Sequence, residues 1–169
     1  MGISKRTVYE IFKDKKELIH VCIKQLKRNH EEKNHEIISF SSNVIETIFT
    51  FMREGIKAMS SINPVFFMDM KKFYSVTWDA LVEDNEEDSL SLSKKLLLQG
   101  IEEGLFRSDI NIPIVAKLFH EQMKLLADEK VFPRDEFNYA DLFKSLTINF
   151  MRGISTQKGI EIIESNITN

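Results

Sequence analysis

Apolar residues recur at intervals of three or four along most of this sequence, and this periodicity limits the possible folds more than any other feature. In segment 44–59 they are Val44, Ile45, Ile48, Phe49, Met52, Ile56 and Met59. Such spacing places side chains along one face of an α-helix. No stretch alternates apolar and polar residues over the length that a strand needs, and the chain has only three prolines and six glycines. The sequence therefore predicts an all-α protein.

The same periodicity predicts the remaining helices. They are expected after Ser4, from Asp14 to about Arg28, from Asn63-Pro64 into segment 65–74, from about Val76 to Glu103, from Asn111 to about Asp128, from Tyr139 to Arg152 and in the short segment 156–163. Asp14 can cap its helix, and Glu17 follows three residues later as the second half of a capping box. Gly104 is expected to end the helix before it. The acidic run 83–88 either continues that helix or forms a loop.

Charge is distributed unevenly along the chain. Residues 1–30 hold eight Lys and Arg against three acidic residues, a net +5, whereas the remainder holds 15 against 23. A basic end on an acidic body is expected where only that end meets a polyanion such as DNA. A solvated, charged helix face is the other interpretation, and charge alone does not separate the two.

The segment GISKRTVYEIFKDKKEL, residues 2–18, carries the most specific pattern. A short helix there is expected to bury Val8, Ile11 and Phe12, which leaves basic, hydroxyl and aromatic groups on its other side. Groups of these kinds bind phosphates and contact base edges. The next helix begins with Lys15 and Lys16, where ammonium and backbone N–H groups together can bind a phosphate.

At these residues the chain resembles the second half of the helix-turn-helix of the TetR family of regulators. The matching positions are Gly2, Ile3, Ser4, Thr7, Val8, Tyr9, Ile11, Phe12, Lys15 and Leu18. Two later segments, GIEEGLFRSDI at 100–110 and NFMRGISTQKGIEII at 149–163, are similar to the turn before the dimerisation helices and to the ending of such proteins. The resemblance implies a TetR-like fold, with a partial helix-turn-helix domain at 1–30 and a helical effector-binding and dimerisation domain at 31–169.

By this resemblance the protein is expected to be a ligand-responsive, DNA-binding transcriptional regulator, most often a repressor. The residues expected to contact DNA are Lys5, Arg6, Thr7, Tyr9, Lys15 and Lys16. Members of the family carry two further helices before this point, where this sequence has only Met1. The DNA-binding domain is therefore expected to be incomplete at its N-terminus, so that DNA binding depends on whether Met1 is the natural start. The alternative function is a dimeric helical ligand-binding module that no longer binds DNA.

Aromatic and methionine side chains are concentrated in the central helices and are candidates for the lining of a pocket for a small apolar or amphipathic effector. The candidates are Phe49, Met52, Met59, Phe66, Phe67, Met70, Trp78, Phe119 and Met123. For each of them, ordinary packing in the core is the competing interpretation.

The last two long helices carry wide apolar stripes that are suited to packing against the same pair in a second subunit. The residues expected at such a homodimer interface are Leu118, Phe119, Gln122, Met123, Leu142, Leu146 and Phe150. Within one chain, however, an apolar stripe has the same pattern whether it faces a core or a partner.

No cluster of residues predicts catalysis, a metal site or a cofactor. The four histidines, His20, His30, His35 and His120, do not have metal-ligand spacing, and the acidic clusters lack apolar surroundings that would tune a general acid or base. The single cysteine, Cys22, is expected to be buried and fits a reducing cytoplasm. No apolar run is long enough to span a membrane. We therefore expect a cytoplasmic protein that is not an enzyme.

Overall fold

The computed structural model describes residues 5–61, 69–70, 72–126, 128–133 and 135–168. These residues form helices joined by turns, and their only β pairing is an isolated bridge between Phe106 and Ser155. The named helices are α1 (Lys5–Ile11), α2 (Lys15–Phe40), α3 (Val44–Ser61), α4 (Ser75–Glu102), α5 (Ile112–Leu126), α6 (Tyr139–Ile154) and α7 (Gln157–Thr168). The prediction of an all-α architecture is confirmed for the described residues. The start of the helix expected at Asn63-Pro64 lies outside the residues that the structure describes.

The start of α2 is fixed by side chains that the sequence pattern identified. Asp14 Oδ1 accepts the backbone N–H of Glu17 at 2.9 Å. The Glu17 carboxylate accepts the N–H of Lys13 at 2.6 Å, one residue earlier than in the usual capping box. Two of the N–H groups near the helix start therefore have partners, so the junction between α1 and α2 is locally specified.

Helix α2 is longer than predicted. It continues past Arg28 to Phe40, so the boundary expected between residues 30 and 31 lies inside one continuous helix. The polar segment 29–36 contains neither proline nor glycine, and Lys33 within it forms an ion pair with Glu54 of α3. That tertiary contact supports helical backbone where the apolar pattern is weak. The acidic run 83–88 likewise continues as helix within α4.

The core lies between α3, α4, α5, α6 and α7. Its buried members are Val44, Ile45, Phe49, Met52, Leu96, Leu97, Leu105, Phe106, Ala116, Ile148, Met151, Ile154 and Ile163. Those of α3 lie on the apolar face that the periodicity predicted, because burial of one stripe per helix stabilises a helical bundle. Leu105 and Phe106, in contrast, lie in the turn after α4.

A tight junction joins the end of α4 to the turn between α6 and α7. Gly104 adopts a positive φ of 68°, and the N–H groups of Leu105 and Phe106 both donate to Gly100 O at 2.9 Å. The backbone of Leu105 then accepts the N–H of Thr156 at 2.9 Å. The segments 100–110 and 149–163, which the sequence singled out separately, therefore contact each other.

Some apolar side chains at the end of α1 and in the first half of α2 are exposed to solvent. No residue of α2 is buried, and Ile11, Val21 and Leu26 are all exposed. The expected burial of Ile11 and Cys22 is wrong for this structure, since Ile11 is 68% exposed and the Cys22 thiol also faces solvent. Among the residues that the structure describes, too few lie against that side of the two helices to cover these side chains. No described helix is both long and apolar enough to cross a membrane.

Candidate functional site

A cavity of about 400 Å³ lies between five helices, α2 to α6. Its wall is mostly apolar and includes four phenylalanines, Phe51, Phe119, Phe143 and Phe150. The rings of Phe119 and Phe150, from α5 and α6, are 4.8 Å apart between centroids and tilted by 52°. Small-molecule sites are usually apolar hollows of about 300 to 1,000 Å³ with a few polar groups, and this cavity falls within that range.

The polar rim of the cavity is provided by α2 and α3. Lys33 of α2 is bonded to the carboxylate of Glu54, which also accepts Lys57 Nζ at 2.9 Å. Hydrogen bonds from Lys33 and then Lys57 lower the pKa of Glu54 to about 2. Glu54 therefore stays ionised at neutral pH, and two ammonium groups share one carboxylate. His30 and Asn34 of α2 line the same side.

One buried hydroxyl in the cavity wall has no partner. Thr147 of α6 lines the cavity and is 2% exposed, and its Oγ1 makes no hydrogen bond. A second buried threonine, Thr47 of α3, donates its hydroxyl proton to Asn43 O at 3.2 Å. A buried polar atom without a partner costs about 1 to 3 kcal/mol of stability. The Thr147 hydroxyl is therefore a buried group in the wall that lacks a hydrogen-bond partner within the protein.

The residues predicted for an effector pocket are found in different places. Met52 and Phe119 line the cavity, whereas Phe49 and Met70 are buried and do not line it, and Met123 is half-buried away from it. Phe66 and Phe67 lie outside the described residues, and so do the side chains of Met59 and Trp78.

Several wall residues were not among those predicted. The most informative are Phe51, Phe143, Thr147, Lys33 and Glu54. Phe143 lies on the apolar stripe expected for segment 139–152, so its aromatic character was an available signal, whereas Phe51 lies off the stripe predicted for 44–59. Thr147 has a weaker signal, a hydroxyl side chain between Leu146 and Ile148 in an otherwise apolar stripe. The pairing of Lys33 with Glu54 joins residues 21 positions apart and has no local signal.

A charged cluster lies beside the cavity, between α4 and α5. Glu86 accepts Lys124 Nζ at 2.7 Å and Lys117 Nζ at 3.1 Å, and these bonds lower its pKa to about 2. His120 Nε2 is buried, makes no hydrogen bond and lies 3.6 Å from Glu86 Oε1. Burial lowers the pKa of His120, which keeps its ring neutral at physiological pH.

The residues predicted to contact DNA lie at the opposite end of α2. Arg6 and Thr7 of α1 are exposed, as are Lys15 and Lys16 in the first turn of α2, whereas the side chains of Lys5 and Tyr9 lie outside the described residues. Arg6 Nε is 3.1 Å from Glu10 Oε1, an exposed pair that costs little to open. Lys15 Nζ lies 5.4 Å from the centre of the Tyr74 ring, next to the start of α4.

The residues predicted at a dimer interface divide into three groups. Phe119 and Phe150 contact each other in the cavity wall within one chain. Leu118 and Gln122 are exposed on α5, and Ile114 and Leu125 add to the exposed apolar surface of that helix. Met123, Leu142 and Leu146 are half-buried. A second hollow includes Gln122, Leu146 and Phe150.

Metal-binding chemistry has no evident site in the part of the chain that the structure describes, where no three His, Cys, Asp or Glu side chains are grouped closely enough to hold an ion. Comparison of the chain with protein-family models, with curated proteins and with solved structures gave no match. The cavity and the basic end, joined by α2, are the features of the molecule that point to a function.

Proposed function

We propose that this protein is a ligand-responsive DNA-binding regulator with a TetR-like arrangement. In this proposal α1 and the first turn of α2 contact DNA, and the cavity binds a small amphipathic effector. The observation that carries the proposal is the continuity of α2, which holds Lys15 and Lys16 at one end and lines the cavity with Lys33 and Ile37 further along. At about 1.5 Å per residue, the distance from Lys16 to Lys33 along the helix is roughly 25 Å.

Contacts between α2 and α4 support coupling between the basic end of α2 and the cavity. Lys15 lies against Tyr74 at the start of α4, and Lys27 Nζ is 2.8 Å from Asp88 Oδ2 beside the cavity wall. A ligand that moves α2 relative to α4 would displace the basic turn at the same time. Such a displacement in two subunits of a homodimer would change the separation of the two DNA-contacting ends, and hence their fit to DNA.

Lys15 and Lys16 offer the sharpest test of DNA contact, because α4 carries a second exposed lysine pair, Lys94 and Lys95. We expect the full chain to bind a fluorescently labelled duplex of mixed sequence, with an affinity that falls steeply as salt is raised. The double variant Lys15→Glu, Lys16→Glu should weaken binding and reduce the slope of log affinity against log salt by about 1 to 2. The matched variant Lys94→Glu, Lys95→Glu should change both quantities much less. Equal losses in the two variants would contradict the assignment of the basic end.

A second candidate, a dimeric helical ligand-binding module that does not bind DNA, is favoured by one specific observation. The apolar side chains of Ile11, Val21 and Leu26 are exposed, so α1 lacks the packing that would hold a short recognition helix in place. The same salt titration distinguishes the candidates. Absence of DNA binding at low salt, together with retained ligand binding, would support the module and reject the regulator.

A further inference from the structure

Two polar side chains of the cavity wall, Thr147 and Lys33, differ strongly in burial. Thr147 is almost completely buried, whereas the Lys33 side chain is about half exposed at 53%. Between them the wall is formed largely by apolar side chains from α3, α4 and α6. A ligand that fills this space therefore meets a hydrogen-bonding group at its inner end, an apolar middle and a charged rim.

The rim favours a negative charge. Lys33 and Lys57 share Glu54, so the three groups together carry a net charge of +1. The low pKa of Glu54, about 2, means that this carboxylate stays charged and does not accept a proton from a ligand. An anionic group at the rim could bond to the ammonium groups through their remaining donors, since each lysine has three.

The inner end favours a hydrogen-bonding group. Thr147 Oγ1 lacks a partner and is inaccessible in its present rotamer, and in a helix a threonine side chain has two common χ1 rotamers that direct its hydroxyl differently. The hydroxyl therefore has to rotate about χ1 to meet a ligand in the cavity. A hydroxyl or carbonyl group on the ligand would then supply the missing bond, and a buried bond of this kind discriminates strongly against ligands that lack the group.

We propose that the cavity binds an amphipathic anion with a second hydrogen-bonding group at its far end, of the class of medium-chain ω-hydroxycarboxylates. The carboxylate lies at Lys33, the hydrocarbon chain lies along Phe119 and Phe143, and the terminal hydroxyl pairs with Thr147. This inference rests on the proposed function in that it assigns the chemical class of the effector to the same cavity.

Calorimetric titration of the full chain with matched pairs of compounds tests this assignment. Medium-chain ω-hydroxycarboxylates are compared with the simple carboxylates of equal chain length, and with the diols that replace the carboxylate by a hydroxyl. We expect the ω-hydroxycarboxylate to bind about five-fold more tightly than the simple carboxylate, which corresponds to one net hydrogen bond. It should also bind more tightly than the diol, and this second difference should shrink at high salt.

Two variants make the test specific to the named residues. Thr147→Val should abolish the preference for the terminal hydroxyl, and Thr147→Ser should restore it. The control Thr47→Val changes a threonine that is equally buried but absent from the cavity wall, and it should leave the preference unchanged. Lys33→Gln should reduce the preference for the carboxylate over the diol, whereas Lys94→Gln should not.

The outcomes separate this inference from the proposed function, because the titration contains no DNA. If no chain length shows a preference for the hydroxyl, or if Thr147→Val retains the preference, the assignment of Thr147 is wrong. If diols bind as well as carboxylates, the charge assigned to the rim is wrong. A further outcome is that the chain binds the ω-hydroxycarboxylate tightly while its DNA affinity stays the same with and without this ligand. That result would support the ligand class and reject the regulatory function.

Discussion

Gly100 lies so close to the ring of Phe106 that a β-carbon on Gly100 would come within 2.1 Å of Phe106 Cδ2. This contact holds the turn after α4 against the core, where Phe106 is almost fully buried. We predict that Gly100→Ala lowers the free energy of unfolding by about 1 to 3 kcal/mol, because the ring has to shift within a packed interior. Urea denaturation followed by far-ultraviolet circular dichroism measures the effect.

Gly153 is the matched control for this prediction, since a β-carbon there would meet nothing within 4 Å. Gly153→Ala should leave the stability unchanged or raise it by up to about 1 kcal/mol, as alanine favours helical backbone. A similar loss of stability in both variants would mean that the close approach of Gly100 to Phe106 is not the cause.

Glu103 caps a helix that is distant in sequence. Its Oε2 accepts the backbone N–H of Val44 at the start of α3 at 2.8 Å, and its Oε1 accepts the side-chain amide of Gln99 at 2.6 Å. Glu103→Ala is expected to lower the free energy of unfolding by about 1 kcal/mol, the usual effect of losing such a cap. Glu102→Ala, at the exposed neighbouring position, should have little effect in the same urea titration. Equal effects at the two positions would contradict the capping role.

The two buried threonines are expected to respond in opposite directions in the absence of ligand. Thr47→Val removes a satisfied hydrogen bond to Asn43 O and should lower the free energy of unfolding by about 1 kcal/mol. Thr147→Val replaces an unpaired hydroxyl by a methyl group of similar shape and should raise it by about 1 kcal/mol or leave it unchanged. Thermal unfolding of the two variants checks this difference. Destabilisation by Thr147→Val would show that its hydroxyl already has a partner.

His120 should make stability depend on pH. Burial lowers the pKa of its ring below the value near 6.5 expected in the unfolded chain, so the unfolded state binds the additional proton. Stability should therefore rise with pH between the folded pKa and about 6.5, and the loss on acidification should level off below the folded pKa. Glu86, with its pKa of about 2, remains ionised throughout this window.

The variant His120→Gln tests this pH dependence when its stability is measured across the same pH range. It should flatten the pH profile in that window, whereas His35→Gln, at an exposed position, should leave the profile of the original chain unchanged. Identical slopes for the original chain and His120→Gln would assign the titration to another group.

The sequence predicted the helices well where an apolar stripe coincides with a residue that caps or ends a helix. Asp14 with Glu17 and Gly104 marked two ends correctly, and the buried face of α3 follows from spacing alone. On α5 the predicted stripe is only partly buried, because Leu118 and Gln122 are exposed. The continuation of α2 beyond Arg28 was missed, because a polar segment without helix-breaking residues is helical only where a tertiary contact supports it. Here that contact is between Lys33 and Glu54.

The cavity was predictable only in part. Phe49 and Met52 lie on the same apolar stripe of α3, and only the packing of neighbouring helices decides that Met52 lines the cavity and Phe49 does not. The orphaned hydroxyl of Thr147 is likewise a property of its surroundings and not of its sequence. The DNA-contacting role of the basic end and the TetR-like arrangement remain predictions.

The measurement that tests the central claim most directly is the DNA affinity of the full chain with and without a saturating medium-chain ω-hydroxycarboxylate, at fixed salt. Coupling through α2 predicts dissociation constants that differ by about five- to 150-fold, the range typical of allosteric regulation. The Lys15→Glu, Lys16→Glu variant should bind DNA weakly in both conditions while its ligand affinity stays unchanged. Equal dissociation constants for the original chain in the two conditions would contradict the account.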